Sequence, residues 1–154
     1  YTGFVFFGLI KVGNEPFVIE YNCRMGDPET EVVIPRIEDD LVEVFQDAIS
    51  KKLEGKKLTF SSQSAATIML VSGGYPGDFE KYKQITGVDD VQDSIVFHAG
   101  TTQKDGDILT SGGRVMAITS VADNFQEAIR ISLKNAEKIH FEGKYFRRDI
   151  GFDL

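Results

Sequence analysis

Short β-prone runs separated by glycine-containing turns are the strongest constraint on how this sequence folds. Residues 3–12 and Phe17–Tyr21 are two such runs, and Gly13-Asn-Glu-Pro16 lies between them. Two β-prone runs around a turn cluster are typical of a hairpin, so we predict a hairpin at this end of the chain. Gly3 and Gly8 inside the first run either weaken the strand or mark the close approach of another backbone.

Two stretches show the apolar periodicity of amphipathic helices. The first covers residues 41–53 and is preceded by Asp39 and Asp40, either of which suits an N-cap. The second covers residues 125–139, and we predict Asp123 as its N-cap. Apolar faces of this kind need a sheet or another helix to cover them. Together with the β-prone runs, these two stretches predict a chain that contains both helices and sheets.

The polar stretch Lys56–Ser64 is the best candidate for a domain boundary. We therefore predict one domain over residues 1–60 and another over residues 61–154. The second domain contains further predicted strands, at Ala65–Val71, Ile95–His98 and Val115–Thr119.

Composition excludes several classes of function. The 154 residues carry a formal net charge of −7, which argues against a surface built to bind nucleic acid or an anionic membrane. No apolar run approaches the roughly 20 residues that a membrane-spanning helix needs. The chain has one cysteine, Cys23, which we expect to be buried and unreactive. Without a disulfide framework, a reducing cytoplasm is the expected compartment.

The segment that follows the predicted hairpin has the residue types of a metal-and-phosphate site. Glu20 and Asn22 are two residues apart on a predicted strand, so their side chains lie on the same face. A carboxylate beside an amide carbonyl suits a hard cation such as Mg²⁺. Arg24 continues that face if the strand extends so far, and a guanidinium there can stabilise charge that develops during phosphoryl transfer.

An acidic loop follows this strand. Gly26 allows a sharp turn and leaves room for a ligand, while Asp27, Glu29 and Glu31 place three carboxylates within five residues. The alternating polar pattern alone has a second explanation, namely a solvated face of a half-exposed strand. The combination with Gly26-Asp-Pro-Glu29 favours the functional interpretation.

These residues resemble a known family. Arg24-Met-Gly-Asp-Pro-Glu-Thr-Glu31 is closely similar to the signature of phosphoribosylamine–glycine ligases, also called glycinamide ribonucleotide synthetases. Four later segments resemble the C-terminal domain of that family: Ser72-Gly-Gly-Tyr-Pro-Gly77, Val96-Phe-His-Ala-Gly-Thr101, Thr110-Ser-Gly-Gly-Arg-Val115 and Arg147-Arg-Asp-Ile-Gly151. The resemblance covers nearly the whole chain, in order.

The resemblance implies a fold class and an extent. It implies an α+β chain in which residues 1–60 are the C-terminal portion of an ATP-grasp catalytic domain, an antiparallel sheet with helices. Residues 61–154 are then the small mixed α/β C-terminal domain of the synthetase. The chain begins within a predicted strand, so we expect it to be part of a longer enzyme whose N-terminal part is its partner.

The resemblance also implies a reaction in de novo purine synthesis. ATP, glycine and 5-phosphoribosylamine would give glycinamide ribonucleotide, ADP and phosphate. Glu20 and Asn22 would bind Mg²⁺ or Mn²⁺, and Arg24 would contact the transferring phosphoryl group. Gly26, Asp27, Pro28 and Glu29 would meet glycine and the ribosyl substrate. Without the residues that bind ATP from the other side, the chain alone is expected to be inactive.

Two other functions stay open at this point. Another ATP-grasp enzyme, such as a carboxylase subunit or a different purine ligase, would share the pattern Glu20-x-Asn22-x-Arg24. It would not be expected to share the later His-Ala-Gly-Thr and Arg-Arg-Asp-Ile-Gly segments. A non-catalytic binding module is the alternative from a different class.

Overall fold

The computed structural model describes residues 1–152. The chain folds into two compact units. The first unit contains Tyr1–Ser61, and the second begins at Ser62. Both units combine helix with antiparallel strands, which confirms the predicted mixed α and β class.

The first unit opens with the predicted hairpin. Strand β1 (Phe6–Val12) pairs antiparallel with strand β2 (Glu15–Asn22), and Gly13 takes the left-handed conformation that the tight turn needs. No third strand pairs with this hairpin among the described residues. Most of the large apolar side chains on its two faces are exposed in residues 1–152, with Ile19 and Tyr21 each 65% accessible, whereas Phe6 is half-buried.

Two helices follow the hairpin in the first unit. Helix α1 (Thr30–Val33) continues into a 3₁₀ turn at Ile34–Arg36, because Pro35 cannot continue an α-helical hydrogen-bond ladder. Helix α2 (Leu41–Ile49) is capped by Asp40, whose carboxylate accepts from the backbone N–H groups of Val42 and Glu43.

Helix α2 is one turn shorter than the sequence pattern predicts. Residues 41–53 have helical periodicity, but the helix ends at Ile49 and Lys51 adopts a left-handed φ of 57°. The N–H of Lys52 donates to the carbonyl of Asp47, which closes the last turn. The prediction of a longer helix was therefore wrong, because the apolar periodicity continues past the point where the backbone turns away.

The second unit is built from two three-stranded antiparallel sheets and one long helix. Strand β8 (Arg114–Ala122) lies between β3 (Ser64–Val71) and β5 (Ile95–His98) in the larger sheet. In the smaller sheet, β7 (Asp107–Thr110) lies between β4 (Gln84–Ile85) and β6 (Thr101–Lys104). Helix α3 (Phe125–Lys138) packs on β3 and β8.

The core of the second unit forms around β8. Every residue from Val115 to Ser120 is buried, as expected of a central strand covered on both faces. The buried apolar cluster combines side chains of β8 with others from β3, α3 and the segment after α3, and it includes Ile68, Leu70, Met116, Ile118, Ala136, Ile139 and Phe146.

A buried polar network joins α3 to this sheet. The hydroxyl of Ser132 donates to the carbonyl of Ala66, 3.0 Å away, and lies within hydrogen-bond distance, 2.8 Å, of the hydroxyl of Ser120. Ser94 lies 2.7 Å from Ser120, and the amide of Asn135 donates to Ser94. These contacts hold the segment before β5 against the helix, because buried polar groups must be hydrogen-bonded to avoid a desolvation cost.

The glycine-containing turns of the second unit pack against one another. The hydroxyl of Ser72 donates to the carbonyl of Gly112, and a side chain at Gly113 would collide with the ring of Tyr75. The backbone N–H of Gly100 donates to the carbonyl of Arg114. The segment between Ser72 and Gly77 forms a tight turn, in which the N–H of Tyr75 donates to the carbonyl of Ser72 and the N–H of Gly77 to that of Gly74.

The N-cap of α3 differs from the predicted residue. Asn124, one residue after Asp123, has an extended backbone, and its side-chain oxygen accepts from the N–H of Glu127 at 2.9 Å. Asp123 instead receives a 3.5 Å contact from Gln63. Both residue types suit the position, so the sequence favoured neither on chemical grounds.

No helix among residues 1–152 is long and apolar enough to cross a membrane.

The cap assignment makes a testable distinction between two adjacent residues. Asn124→Ala should lower the free energy of unfolding by about 1 kcal/mol, because it leaves an N–H of the first turn of α3 without its acceptor. Asp123→Ala is the matched control and should change it by less than roughly 0.5 kcal/mol. Urea denaturation measures both, and a larger effect at Asp123 than at Asn124 would contradict the assignment.

The buried network predicts a second difference. Asn135→Ala should cost about 1–3 kcal/mol, because the backbone groups of Gln92 and the hydroxyl of Ser94 lose the partner that the buried Asn135 side chain provides. Lys134→Ala, on the exposed side of the same helix, is the control and should be nearly neutral. Equal unfolding midpoints for the two variants would show that the network does not stabilise the unit.

Candidate functional site

Glu20 and Asn22 lie side by side at the end of β2. The side-chain amide of Asn22 donates to one carboxylate oxygen of Glu20 at 2.9 Å, so the two groups share a face as their spacing predicts. Donation from the amide nitrogen leaves the Asn22 carbonyl oxygen and the second Glu20 oxygen as acceptors. Two side-chain oxygens that could accept a cation therefore lie next to each other.

An irregularity in strand pairing sets the direction of Glu20. Gly8 pairs with Glu20 while Leu9 pairs with Val18, so Ile19 is an extra residue on β2. A bulge of this kind shifts every side chain beyond it by one position relative to the partner strand. Glu20 and Asn22 are thereby opposite Gly8 and Phe6 on the partner strand.

The loop after β2 turns around Gly26. Its carbonyl accepts from both the backbone N–H and the hydroxyl of Thr30, which closes the turn onto α1. The carboxylate of Glu29 lies over Gly26 so closely that a Cβ there would be 2.4 Å from a Glu29 oxygen. The same Cβ would be 3.1 Å from the ring of Phe6, so the loop contacts the strand residue that pairs with Asn22.

The other predicted substrate residues lie in the same loop. Asp27 is exposed and precedes Pro28, with a cis peptide bond between them. Arg24 is also exposed, and its guanidinium donates to the carbonyl of Met25 at 3.1 Å. Because β2 ends at Asn22, the strand does not extend to Arg24. The condition for Arg24 to continue the Glu20 face is therefore not met in this structure.

The donor set fits a cation that takes only part of its shell from protein. Within residues 1–152 no group of three or more His, Cys, Asp or Glu side chains could hold a metal ion. Mg²⁺ keeps several waters and is commonly bound by one or two protein oxygens together with substrate phosphates. Glu20 and Asn22 could supply two such oxygens, so these residues are compatible with a nucleotide-bound cation.

The structure also places two residues with potentially reactive side chains, Cys23 and His98. Cys23 is exposed, so the prediction that it is buried was wrong. Cys23 follows the end of β2, and no further strand pairs with the hairpin within the part of the chain that the structure describes. His98 is exposed at the end of β5, and its Nδ1 lies 3.0 Å from the hydroxyl of Thr101.

Charged residues near the end of the chain pair within the second unit. Arg147 binds Asp149 through two contacts of 2.9 Å, and Arg148 pairs with Glu137 on α3. Hydrogen bonds from these arginines hold the pKa values of both carboxyl groups below their usual range. Arg148 also lies over the ring of Phe146, 4.9 Å from its centre.

Sequence reasoning missed the residues that shape the site rather than bind a ligand. Gly8 and Phe6 lie opposite Glu20 and Asn22, but only the bulged register shows this. Two buried atoms of the first unit, Glu31 Oε2 and Arg36 Nε, have no hydrogen-bond partner. The only sequence signal for these shaping residues was Gly8, a glycine within a β-prone run, and simple weakening of the strand explained that glycine equally well.

Comparison with known proteins identifies the family. Residues 65–153 match the family model described as "Phosphoribosylglycinamide synthetase, C domain". That match covers more than half of the chain, and the chain therefore belongs to this family.

Relatives extend the likeness into the first unit. The chain is 44% identical over 154 residues to a phosphoribosylamine–glycine ligase from Pasteurella multocida, and 41% identical over 150 residues to one from Caldanaerobacter subterraneus subsp. tengcongensis. It covers 36% of the length of each. It is also 40% identical over 155 residues to the trifunctional purine biosynthetic protein adenosine-3 of Homo sapiens, of which it covers 15%.

A solved structure shows the same arrangement of elements. The crystal structure of phosphoribosylamine–glycine ligase from Thermotoga maritima matches with a TM-score of 0.78 and 35% identity over 94% of this chain. Here too the chain corresponds to 36% of the other protein. The likeness therefore extends over both units of the chain.

Proposed function

We propose that this chain forms the C-terminal part of an ATP-dependent ligase that joins glycine to 5-phosphoribosylamine. The observation that carries the proposal is identity of about 40% to such ligases over 97–99% of the chain, including the first unit where Glu20 and Asn22 lie. The chain spans only 36% of these relatives, so the activity belongs to a longer polypeptide. We call that polypeptide the complete ligase.

The proposed reaction has two steps. A carboxylate oxygen of glycine attacks the γ-phosphorus of ATP, which gives glycyl phosphate and releases ADP. The amine nitrogen of 5-phosphoribosylamine then attacks the acyl carbon, an amide bond forms, and phosphate leaves. The amine gives up one proton in this step, and the products are glycinamide ribonucleotide and inorganic phosphate.

Glu20 and Asn22 are proposed to hold Mg²⁺ or Mn²⁺ on the ATP phosphates. The support is their adjacent oxygens and the small number of protein ligands nearby, which suits a cation that also binds phosphate. Such a cation would neutralise charge that develops on the transferring phosphoryl group.

Arg24 is proposed to contact the transferring phosphoryl group, and the loop Gly26–Glu29 to contact glycine and the ribosyl substrate. For Arg24 this requires that its guanidinium leave the neighbouring carbonyl of Met25, which an exposed side chain can do at little cost. The loop's support is its position against Phe6, which brings it close to the Asn22 end of the hairpin.

The same proposal gives the partners of the enzyme and its cellular compartment. Its partners would be small molecules and the remaining part of the complete ligase, with ATP as co-substrate. The single cysteine agrees with a reducing cytoplasm. A segment 40% identical to this chain lies within the human trifunctional purine biosynthetic protein adenosine-3, so the complete ligase is compatible with either a single enzyme or part of a multifunctional protein.

Substitutions in the complete ligase test the two charged roles. Glu20→Gln should raise the Mg²⁺ concentration needed for half-maximal activity, because it removes a charged ligand. Arg24→Ala should lower kcat by about 10²–10³-fold, since it removes a group that stabilises the transition state. Glycine-dependent ADP formation, followed over a range of Mg²⁺ concentrations, measures both effects.

Lys11→Ala is the control for these variants, because Lys11 is exposed on β1 and has no proposed contact with substrate. It should retain wild-type kinetics. Wild-type metal activation in Glu20→Gln would remove the metal role from Glu20. ADP formation that does not depend on glycine would favour another ATP-grasp enzyme over this ligase.

The purified 154-residue chain provides a second test. It should form no glycinamide ribonucleotide from ATP, glycine and 5-phosphoribosylamine, because a site made of two lobes cannot hold ATP with one of them. Product analysis by mass spectrometry, with the complete ligase as the positive control, measures this. Product formation by the chain alone would contradict the division of the active site that we propose.

A further inference from the structure

Gly8 lies directly opposite Glu20 in the hairpin. Residues that face each other across an antiparallel pair normally hold their Cβ atoms about 4.5–5.5 Å apart, which leaves room for two side chains. At this pair the room is already occupied. A Cβ built on Gly8 would be only 2.9 Å from the Cγ of Glu20, while the backbone of Glu20 would be 3.7 Å away.

The conflict therefore comes from the conformation of the Glu20 side chain and not from the strand pairing. The stem of Glu20 lies across the Cα of Gly8, and in this position its carboxylate accepts the hydrogen bond from Asn22. A methyl group at position 8 would force the stem into another rotamer. The carboxylate would then leave the position beside Asn22, because Cγ determines where both carboxylate oxygens lie.

We propose that Gly8 is a positioning residue for cation binding, which it serves by leaving the space in which the Glu20 carboxylate lies beside Asn22. The inference rests on the proposed metal role of Glu20. It adds a residue that touches neither metal nor substrate and that acts only through the rotamer of its cross-strand neighbour. Changes next to metal ligands commonly cost about 10–100-fold in metal affinity.

Alanine at position 8 should leave the hairpin intact. The backbone of Gly8 is outside the left-handed region, unlike that of Gly13, so an alanine fits its conformation. Glycine within a strand is also less favourable than alanine, because it loses more conformational freedom on folding. A loss of cation binding without a loss of stability is the signature that separates positioning from a structural role.

The experiment compares Gly8→Ala, Glu20→Gln and Gly13→Ala in the complete ligase. For each protein it measures the Mg²⁺ concentration at half-maximal activity, kcat at saturating Mg²⁺, and the thermal unfolding midpoint. Gly8→Ala should raise the required Mg²⁺ by about tenfold, recover most of its kcat at saturating Mg²⁺, and unfold at or above the wild-type midpoint. Gly13→Ala is the control: its midpoint should fall because φ is 63°, with wild-type Mg²⁺ dependence.

The double variant Gly8→Ala/Glu20→Gln tests whether Gly8 acts through Glu20. The effect of the alanine on Mg²⁺ activation should largely disappear in the Gln background, since the effects of substitutions at two interacting residues are not additive. Wild-type Mg²⁺ dependence in Gly8→Ala with an impaired Glu20→Gln would overturn this inference and keep the metal site. Wild-type behaviour in both would overturn the metal site itself.

An unfolded or destabilised Gly8→Ala protein would also count against the inference, because the proposal requires that only the Glu20 side chain moves. A loss of kcat that Mg²⁺ does not restore would have the same meaning. Additive effects in the double variant would show that Gly8 acts by another route.

Discussion

The hydrogen-bonded register of β1 and β2 is the constraint on which the candidate site depends. In a two-stranded sheet, a slip of one residue moves every side chain of a strand to the opposite face. Here one extra residue, Ile19, is accommodated as a bulge, and Glu20 and Asn22 come to lie opposite Gly8 and Phe6. Phe6 in turn contacts Gly26, so the same register brings the acidic loop to the hairpin on which Glu20 and Asn22 lie.

The fold of the second unit depends on a buried central strand and on the hydrogen bonds that join it to its neighbours. Its central strand β8 is buried on both faces, and hydroxyl and amide side chains connect it to α3 and to the segment before β5. The turns at Ser72–Gly77 and around Gly100 and Gly112 approach one another through glycines that leave no space for side chains.

Local chemistry made part of the structure predictable. Spacing of two residues placed Glu20 and Asn22 on one face, and the Asp39-Asp40 pair indicated the start of α2. The bulge at Ile19 could not be read from the sequence, because no special residue marks it. Cys23 was assigned wrongly for a related reason: burial depends on layers that cover a strand, and the sequence of that strand does not reveal them. The choice between Asp123 and Asn124 depended on backbone geometry that either residue could have adopted.

The central claim is that Glu20 and Asn22 together bind the cation that accompanies ATP. Anomalous diffraction from Mn²⁺ in crystals of the complete ligase, grown with a non-hydrolysable ATP analogue, tests it most directly. The account predicts a Mn²⁺ ion at roughly 2–2.3 Å from one oxygen of each side chain, with nucleotide phosphates completing the shell. A nucleotide-bound Mn²⁺ with neither Glu20 nor Asn22 among its ligands would contradict it.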